Sequence, residues 1–258
     1  MLLGRMLSEA CQQAPQTIAL WFGPRKWSYA ELDQATDRIA GGLLAAGVHS
    51  GDRLALFLPN SPELMLTYFA CFKIGAITVP LNYRYRKAEV EYSVGHSKAT
   101  SLVVHPSLVQ EVDDSALGHL GMRRFYLTGT GPVRPGFAPF DDLSAGPAGK
   151  LPGPAFDEQQ PAAILYTSGT TAKPKGVTYS HGSLWHNCVI QCATFEFGAA
   201  DVHLVSTAAC HAAAFTGQLL PNVLARGTSV LTHLPTPEQV VQATRAHGVT
   251  RAQMLPAS

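Results

Sequence analysis

The stretch from Arg53 to Val79 constrains this chain's fold more tightly than any other. Arg53 to Leu58 reads as a strand, Ser61 as an N-cap, and Pro62 as the first residue of a helix. Gly75 follows the last helical turn, and Ile77-Thr78-Val79 makes a second strand ended by Pro80. The pattern recurs on both sides. Residues 1 to 14 suit a short amphipathic helix stopped by Pro15, Thr17 to Phe22 a strand, and Gly23-Pro24 a turn. Trp27-Ser28-Tyr29 leads into a helix with a Ser28/Glu31 capping box and an apolar stripe of Leu32, Ala35, Ile39, Leu43 and Ala46, ended at Gly47.

Beyond Pro80, residues 86 to 95 read as helix, and Thr100 to Val104 and Arg123 to Leu127 as strands. Residues 128 to 161 shift towards Gly, Pro and Ala and form an irregular connection. Helices follow at 182 to 195, 213 to 225 and Pro237 to His247. Strands are expected at Val202 to Thr207, Thr228 to Thr232 and Val249 to Leu255. Strands alternating with helices give an α/β fold with mostly parallel sheets and helices on both faces.

The totals narrow the classes of function. A chain of 258 residues with 46% hydrophobic and 14% charged side chains has ample core and a lightly charged surface. A net charge of +1 with no basic block argues against a nucleic-acid partner. Five cysteines at no framework spacing point to a reducing compartment. The N-terminus lacks the features of a signal peptide, and no window approaches 18 uninterrupted apolar residues, so the expectation is a soluble cytoplasmic protein with no membrane span.

One loop carries chemistry. Tyr166 to Val177 reads Y-T-S-G-T-T-A-K-P-K-G-V between two apolar runs, Ala162 to Tyr166 and Val177 to Tyr179, which suggests strand, tight turn, strand. Gly169 and Gly176 permit close backbone approach. Thr167, Ser168, Thr170 and Thr171 supply hydroxyls, and Lys173 and Lys175 supply charge. That outlines a polyphosphate cradle. It is not a Walker A loop, because Pro174 stands where the second glycine belongs and Gly176 where the metal-binding hydroxyl belongs. Composition alone also fits a plain surface turn.

The order of residues closely resembles the phosphate-binding signature of the adenylate-forming (AMP-binding) superfamily, Y/F-T-S-G-S/T-T-G-x-P-K-G-V, departing only at Ala172. Trp27 to Leu32 is similar to that family's T-Y-x-E-L element. Lys73-Ile74-Gly75-Ala76 through Pro80-Leu81-Asn82 resembles its K-x-G-A-x-x-x-P-L-N element, and Ser180-His181 its S-H pair. Cys210-His211 falls at its P-x-x-H element, and the Leu81-Asn82 ending is nearer to acyl-CoA synthetases than to peptide-synthetase modules. The resemblance implies that Thr167, Ser168, Gly169, Thr170, Thr171, Lys175 and Gly176 hold the β- and γ-phosphates of ATP. It also implies that His211, Ala212, Ala213 and Phe215 border the acyl pocket, although a histidine beside three alanines reads in isolation as a buried, satisfied one.

Other clusters read more plainly. His186, Cys188 and Cys192 share a helix, with Cys188 and Cys192 on one face, but a metal site there would need two more ligands, so ordinary buried thiols are preferred and no metal ligand is assigned. Asp113-Asp114 and Asp141-Asp142 are expected in solvated loops, and the run Tyr83 to Lys87 in a surface turn.

The resemblance implies an ATP-dependent carboxylate–CoA ligase with a fatty or aryl acid as substrate, CoA as co-substrate and Mg²⁺ as cofactor. The family's Mg²⁺-holding glutamate, ribose-binding aspartate and catalytic lysine belong beyond Ser258. The chain is therefore expected to be a partial N-terminal AMP-binding domain, inactive alone, that self-associates through its last strand. Two alternatives stay open: an adenylation domain loading a carrier protein, and a non-catalytic remnant that only binds nucleotide.

Overall fold

The computed structural model describes residues 1–145, 151, 153, 155–167, 173–233 and 236–253. The chain enters through α1 (Leu3–Gln13), which buries Leu3, Met6, Leu7 and Ala10, and continues into a hairpin of β1 (Ile18–Phe22) and β2 (Arg25–Ser28). Ser28 then caps α2 (Tyr29–Ala45). Its hydroxyl accepts from the Glu31 N–H, and the Glu31 carboxylate accepts from the Ser28 N–H at 2.7 Å. The central unit is β3 (Arg53–Phe57), α3 (Pro62–Ile74) and β4 (Ile77–Pro80), with Ser61 as N-cap. Gly75 ends α3 at φ 74°. A Cβ there would also meet the Phe156 ring at 2.7 Å, so conformation and space both demand glycine.

Then come α4 (Lys87–Ser97), β5 (Ser101–Val104), a 3₁₀ turn (Pro106–Glu111), α5 (Asp114–His119), β6 (Arg124–Leu127), β7 (Ala138–Pro139) and α6 (Asp141–Ser144). The second half runs β8 (Pro161–Thr167), β9 (Lys175–Ser180), α7 (His181–Phe195) and β10 (Val202–Val205). It closes with α8 (Ala212–Ala214), a π turn (Phe215–Leu219), α9 (Leu220–Leu224), β11 (Thr228–Leu231), α10 (Pro237–His247) and β12 (Arg251–Ala252).

Two sheets result, ordered β7-β6-β5-β3-β4-β8-β9 and β12-β10-β11-β1-β2. Every pairing is parallel except the β1–β2 and β8–β9 hairpins. Alternation along β3 sends Leu54 and Leu56 into the core between the sheets, with α1, α2, α3, α7 and α9. Ala55 and Phe57 go into a second core under α4 and α5. On the five-stranded sheet, Trp21 meets His247 of α10 at 4.9 Å, so that sheet too is covered on its outer face.

Two buried polar ties fix this arrangement. Lys73 of α3, its side chain only 5% exposed, places Nζ 2.6 Å from Asp33 and 2.5 Å from Asp37 of α2. Asn60, just beyond β3, donates from Nδ2 to the carbonyls of Thr207 (2.8 Å) and Thr232 (3.0 Å), and its Oδ1 accepts from the Ala209 N–H at 2.7 Å. One amide thus joins the carboxyl ends of β3, β10 and β11, and so joins the two sheets.

Several expectations need correction. β2 is a strand where the sequence suggested only a lead-in to the helix, because its charged Arg25 and Lys26 mask a pairing satisfied by β1. The connection at 128–161 holds β7 and α6. The aspartates do not lie in plain loops. Asp113 N-caps α5 through the Ala116 N–H, Asp114 pairs with Arg134, and Asp141 and Asp142 occupy the first turn of α6. The last expected strand begins as β12, and residues 254–258 lie outside the described residues.

Candidate functional site

Both strands of the strand–turn–strand expectation are present: β8 and β9 pair antiparallel, with Tyr166 opposite Gly176 and Thr167 opposite Lys175. Ser168, Gly169, Thr170, Thr171 and Ala172 lie outside the described residues. Thr167 and Lys175 are exposed at the hairpin mouth.

Helix α4 holds both limbs. Tyr166 Oη lies 3.0 Å from the Ser93 carbonyl, to which it donates, and 2.9 Å from His96 Nδ1, which in that arrangement carries the proton. Burial pushes the Tyr166 phenol up to about 12, so it stays a neutral donor. On the other limb the Tyr92 hydroxyl donates to the Pro174 carbonyl at 3.0 Å, and Lys173 Nζ sits 5.3 Å from the Tyr92 ring centroid. Gly176 has no room for a side chain: a Cβ would come within 2.9 Å of Ile164 and 3.4 Å of the Tyr166 ring.

Across from the hairpin stands the segment between β10 and α8. Ala209 is held at both polar atoms, its N–H by Asn60 and its carbonyl by the Tyr68 hydroxyl at 3.0 Å. That pins the following Cys210-His211. Cys210 is buried and its thiol is raised to about 11, so it offers no nucleophile at neutral pH. His211 is half-buried at the start of α8. Burial, with the Arg84 charge in addition, holds it below the usual imidazole range, so at neutral pH it is uncharged.

Between these two walls lies a cavity of about 310 Å³, lined by Tyr166, Thr167, Val177 and Tyr179 on one side and His211, Ala212 and Ala213 on the other. The structure therefore brings Thr167, His211, Ala212 and Ala213 to one place, with Lys175 paired beside Thr167. Ala212 and Ala213 also form part of a second cleft of about 670 Å³, which extends to β10 and β12. Phe215 does not join either cavity. It is fully buried in the core against Tyr68, with ring centroids 4.7 Å apart. Sequence reasoning missed Asn60 and Tyr68. An Asn directly between a strand and a Ser-Pro helix start was the available signal for the first, and none marked the second.

The remaining clusters are structural. His186 Nδ1 bonds the Gly182 carbonyl at 2.8 Å, Cys188 is fully buried, and the Cys192 thiol donates to the Pro221 carbonyl at 3.3 Å. His181, buried between the rings of Phe72 and Phe156, accepts the Leu3 N–H at Nδ1, while Ser180 N-caps α7. In the basic-aromatic run, Tyr85 is buried and Arg86 pairs with Glu111 at 2.6 Å. No helix among the described residues is long and apolar enough to cross a membrane.

Comparison with known proteins places this geometry. Feruloyl-CoA synthase of Amycolatopsis sp is 32% identical over 257 residues, covering 96% of this chain and 47% of that protein. Salicyl-AMP ligase / salicyl-S-ArCP synthetase of Mycobacterium tuberculosis is 33% identical over 272 residues, covering 99% and 46%. The apo structure of MbtA from Mycobacterium smegmatis superposes with a TM-score of 0.87 at 28% identity, covering 99% of this chain and 48% of that one. The chain spans about half the length of these relatives. The model of the AMP-binding enzyme family matches residues 7–258, and the chain belongs to that family.

Proposed function

We propose that the protein carrying this chain activates a carboxylic acid with ATP and then forms a thioester with CoA. In the first step a carboxylate oxygen attacks the α-phosphorus and the bond to pyrophosphate breaks, leaving an acyl-adenylate. In the second the CoA sulfur attacks the acyl carbon, the bond to AMP breaks, and the thiol proton passes to solvent. The observation that carries this reading is the apposition of the Thr167/Lys175 hairpin mouth to His211, Ala212 and Ala213 across one cavity.

Lys175 supplies positive charge for the departing pyrophosphate, and Thr167 a hydroxyl donor beside it. Ser168, Gly169, Thr170, Thr171 and Gly176 complete the proposed phosphate loop. Neutral His211 faces the reacting end of the acid, and Ala212 and Ala213 leave room for its acyl part. Among the described residues no three His, Cys, Asp or Glu side chains gather to hold a cation, so we derive no step through Mg²⁺. Residues 1–258 act as part of an N-terminal AMP-binding domain in this reading. The cysteines of the structure are free, which fits a cytoplasmic location.

Feruloyl-CoA synthase and salicyl-AMP ligase are both named for aromatic acids, and an aryl acid is the substrate class we propose. The second of these names also favours a carrier-protein thiol as an alternative acceptor. Acid-dependent exchange of labelled pyrophosphate into ATP tests the first step, and thioester formation with CoA or with a phosphopantetheinyl carrier decides the acceptor. Failure of every aromatic and aliphatic acid to support exchange would remove the ligase reading.

A further inference from the structure

His203, the second residue of β10, is only 4% exposed, and neither ring nitrogen has a partner among the described residues. Its ring stacks on Phe197 at 5.5 Å with an interplanar angle of 20°. Burial, with the Arg251 charge in addition, holds its pKa down to about 4, so at neutral pH the imidazole has one proton to donate and one nitrogen to accept. Leaving a buried donor and acceptor unmade carries a cost that Val or Leu at this strand position would avoid. A ligand group that meets them would recover that loss.

The surroundings give such a ligand a direction of approach. His203 lines the 670 Å³ cleft, and Ala212 and Ala213 line both this cleft and the cavity at the hairpin mouth. An acid seated with its carboxylate beside His211 passes over these two small side chains into the cleft. There Phe195 and Phe197 offer aromatic walls. The one cation on the cleft wall among the described residues, Arg251, is already spent: Nε lies 2.7 Å from Asp201, and its other nitrogens donate to the carbonyls of Phe195 (2.5 Å) and Glu196 (2.6 Å). The cleft therefore suits an uncharged polar group better than a second carboxylate. As placed, both His203 nitrogens are enclosed, and a half-turn about Cβ–Cγ, which exchanges each nitrogen with a ring carbon in the same outline, is what would turn one towards the cleft.

We propose that His203 is a specificity-determining residue that hydrogen-bonds a ring hydroxyl at the end of an aromatic acid remote from its carboxylate. The inference rests on the acid-activating reading for the direction in which the substrate lies. An alkyl acid leaves the imidazole unpaired, as does an aromatic acid without the hydroxyl.

The test compares 4-hydroxycinnamic acid with cinnamic acid on the intact protein, by calorimetric binding alongside pyrophosphate exchange. The unmodified protein binds the hydroxylated acid about tenfold more tightly, the ratio of one buried hydrogen bond. His203→Leu abolishes that ratio, and His203→Gln, which keeps a donor and an acceptor, retains part of it. A ratio near one in the unmodified protein, or the same ratio in His203→Leu, overturns the inference. The imidazole ¹⁵N resonances of His203 give a readout that needs no variant. They shift with 4-hydroxycinnamic acid only, and equal shifts with both acids overturn the inference. Selective binding without acid-dependent exchange removes the ligase reading and leaves the role of His203 standing. Exchange with an unaltered ratio in His203→Leu does the reverse.

Discussion

The two walls of the small cavity are built in opposite ways. The hairpin wall ends in exposed side chains, Thr167 and Lys175, held by local strand pairing and by tyrosines that reach α4. The His211 wall is held by buried hydrogen bonds from residues remote in sequence, Asn60 and Tyr68, which arrive from β3 and α3. A binding group facing a polyphosphate must stay free for its ligand, so it contributes little to the fold. A segment that orients a substrate must be immobile, so its supports are structural.

This contrast is open to attack. The largest effect is expected for Lys175→Ala, which lowers acid-dependent pyrophosphate exchange by about 10²–10³-fold. It should leave the unfolding midpoint nearly unchanged, since Lys175 is exposed. Unaltered exchange in that variant would end the proposed role of the hairpin in binding phosphate. Asn60→Ala comes next and should lower both properties. Two carbonyls and one N–H lose their partner, costing about 3 kcal/mol in urea unfolding, and exchange falls because His211 is no longer fixed. Loss of activity at full stability would show that Asn60 belongs with the reacting groups instead.

A smaller effect separates the buried histidines from the mouth. Burial holds His181 down to about 4, against its ordinary 6.5. As pH falls through that window the unfolded chain takes up the proton first, so stability is full above about 6.5 and drains away until about 4. The full change is about 3 kcal/mol. His181→Asn keeps an acceptor for the Leu3 N–H and should reduce the slope between those limits, with His203, His211 and His105, all lowered by burial, supplying part of what remains. A slope untouched by the substitution would place the acid sensitivity elsewhere. The smallest change is expected for Tyr166→Phe, which loses the bonds to Ser93 and His96 for about 1 kcal/mol and shifts ATP affinity only slightly.

Much of this was legible in the sequence, for physical reasons. Ser28 with Glu31, and Ser61-Pro62 with Gly75, are local devices whose partners lie within a few residues, so the helices could be placed from the chain alone. The hairpin was legible for the same reason. Asn60 was not, because the carbonyls it serves lie on strands that approach only after folding. The stretch after His211 was misread in one particular. Placing Phe215 on the pocket wall with Ala212 and Ala213 ignores helical turning: positions 212, 213, 216 and 217 face the cleft, while Ala214, Phe215 and Leu219 turn into the core. The unpaired imidazole of His203 left no trace in the sequence, where a histidine in a short strand is indistinguishable from a surface one.

The Lys73 ion cluster has a consequence in saline solution. Two carboxylates hold that ammonium at 2.6 and 2.5 Å, and its side chain is only 5% exposed although Asp37 reaches solvent, so the seam between α2 and α3 should respond less to ionic strength than a fully exposed charge does. Lys175 stands in the open, where a Debye length of about 8 Å at physiological salt already mutes its pull on a polyanion. Raising the salt should therefore weaken the proposed nucleotide capture before it loosens the scaffold, so that binding answers to the medium more than the architecture does.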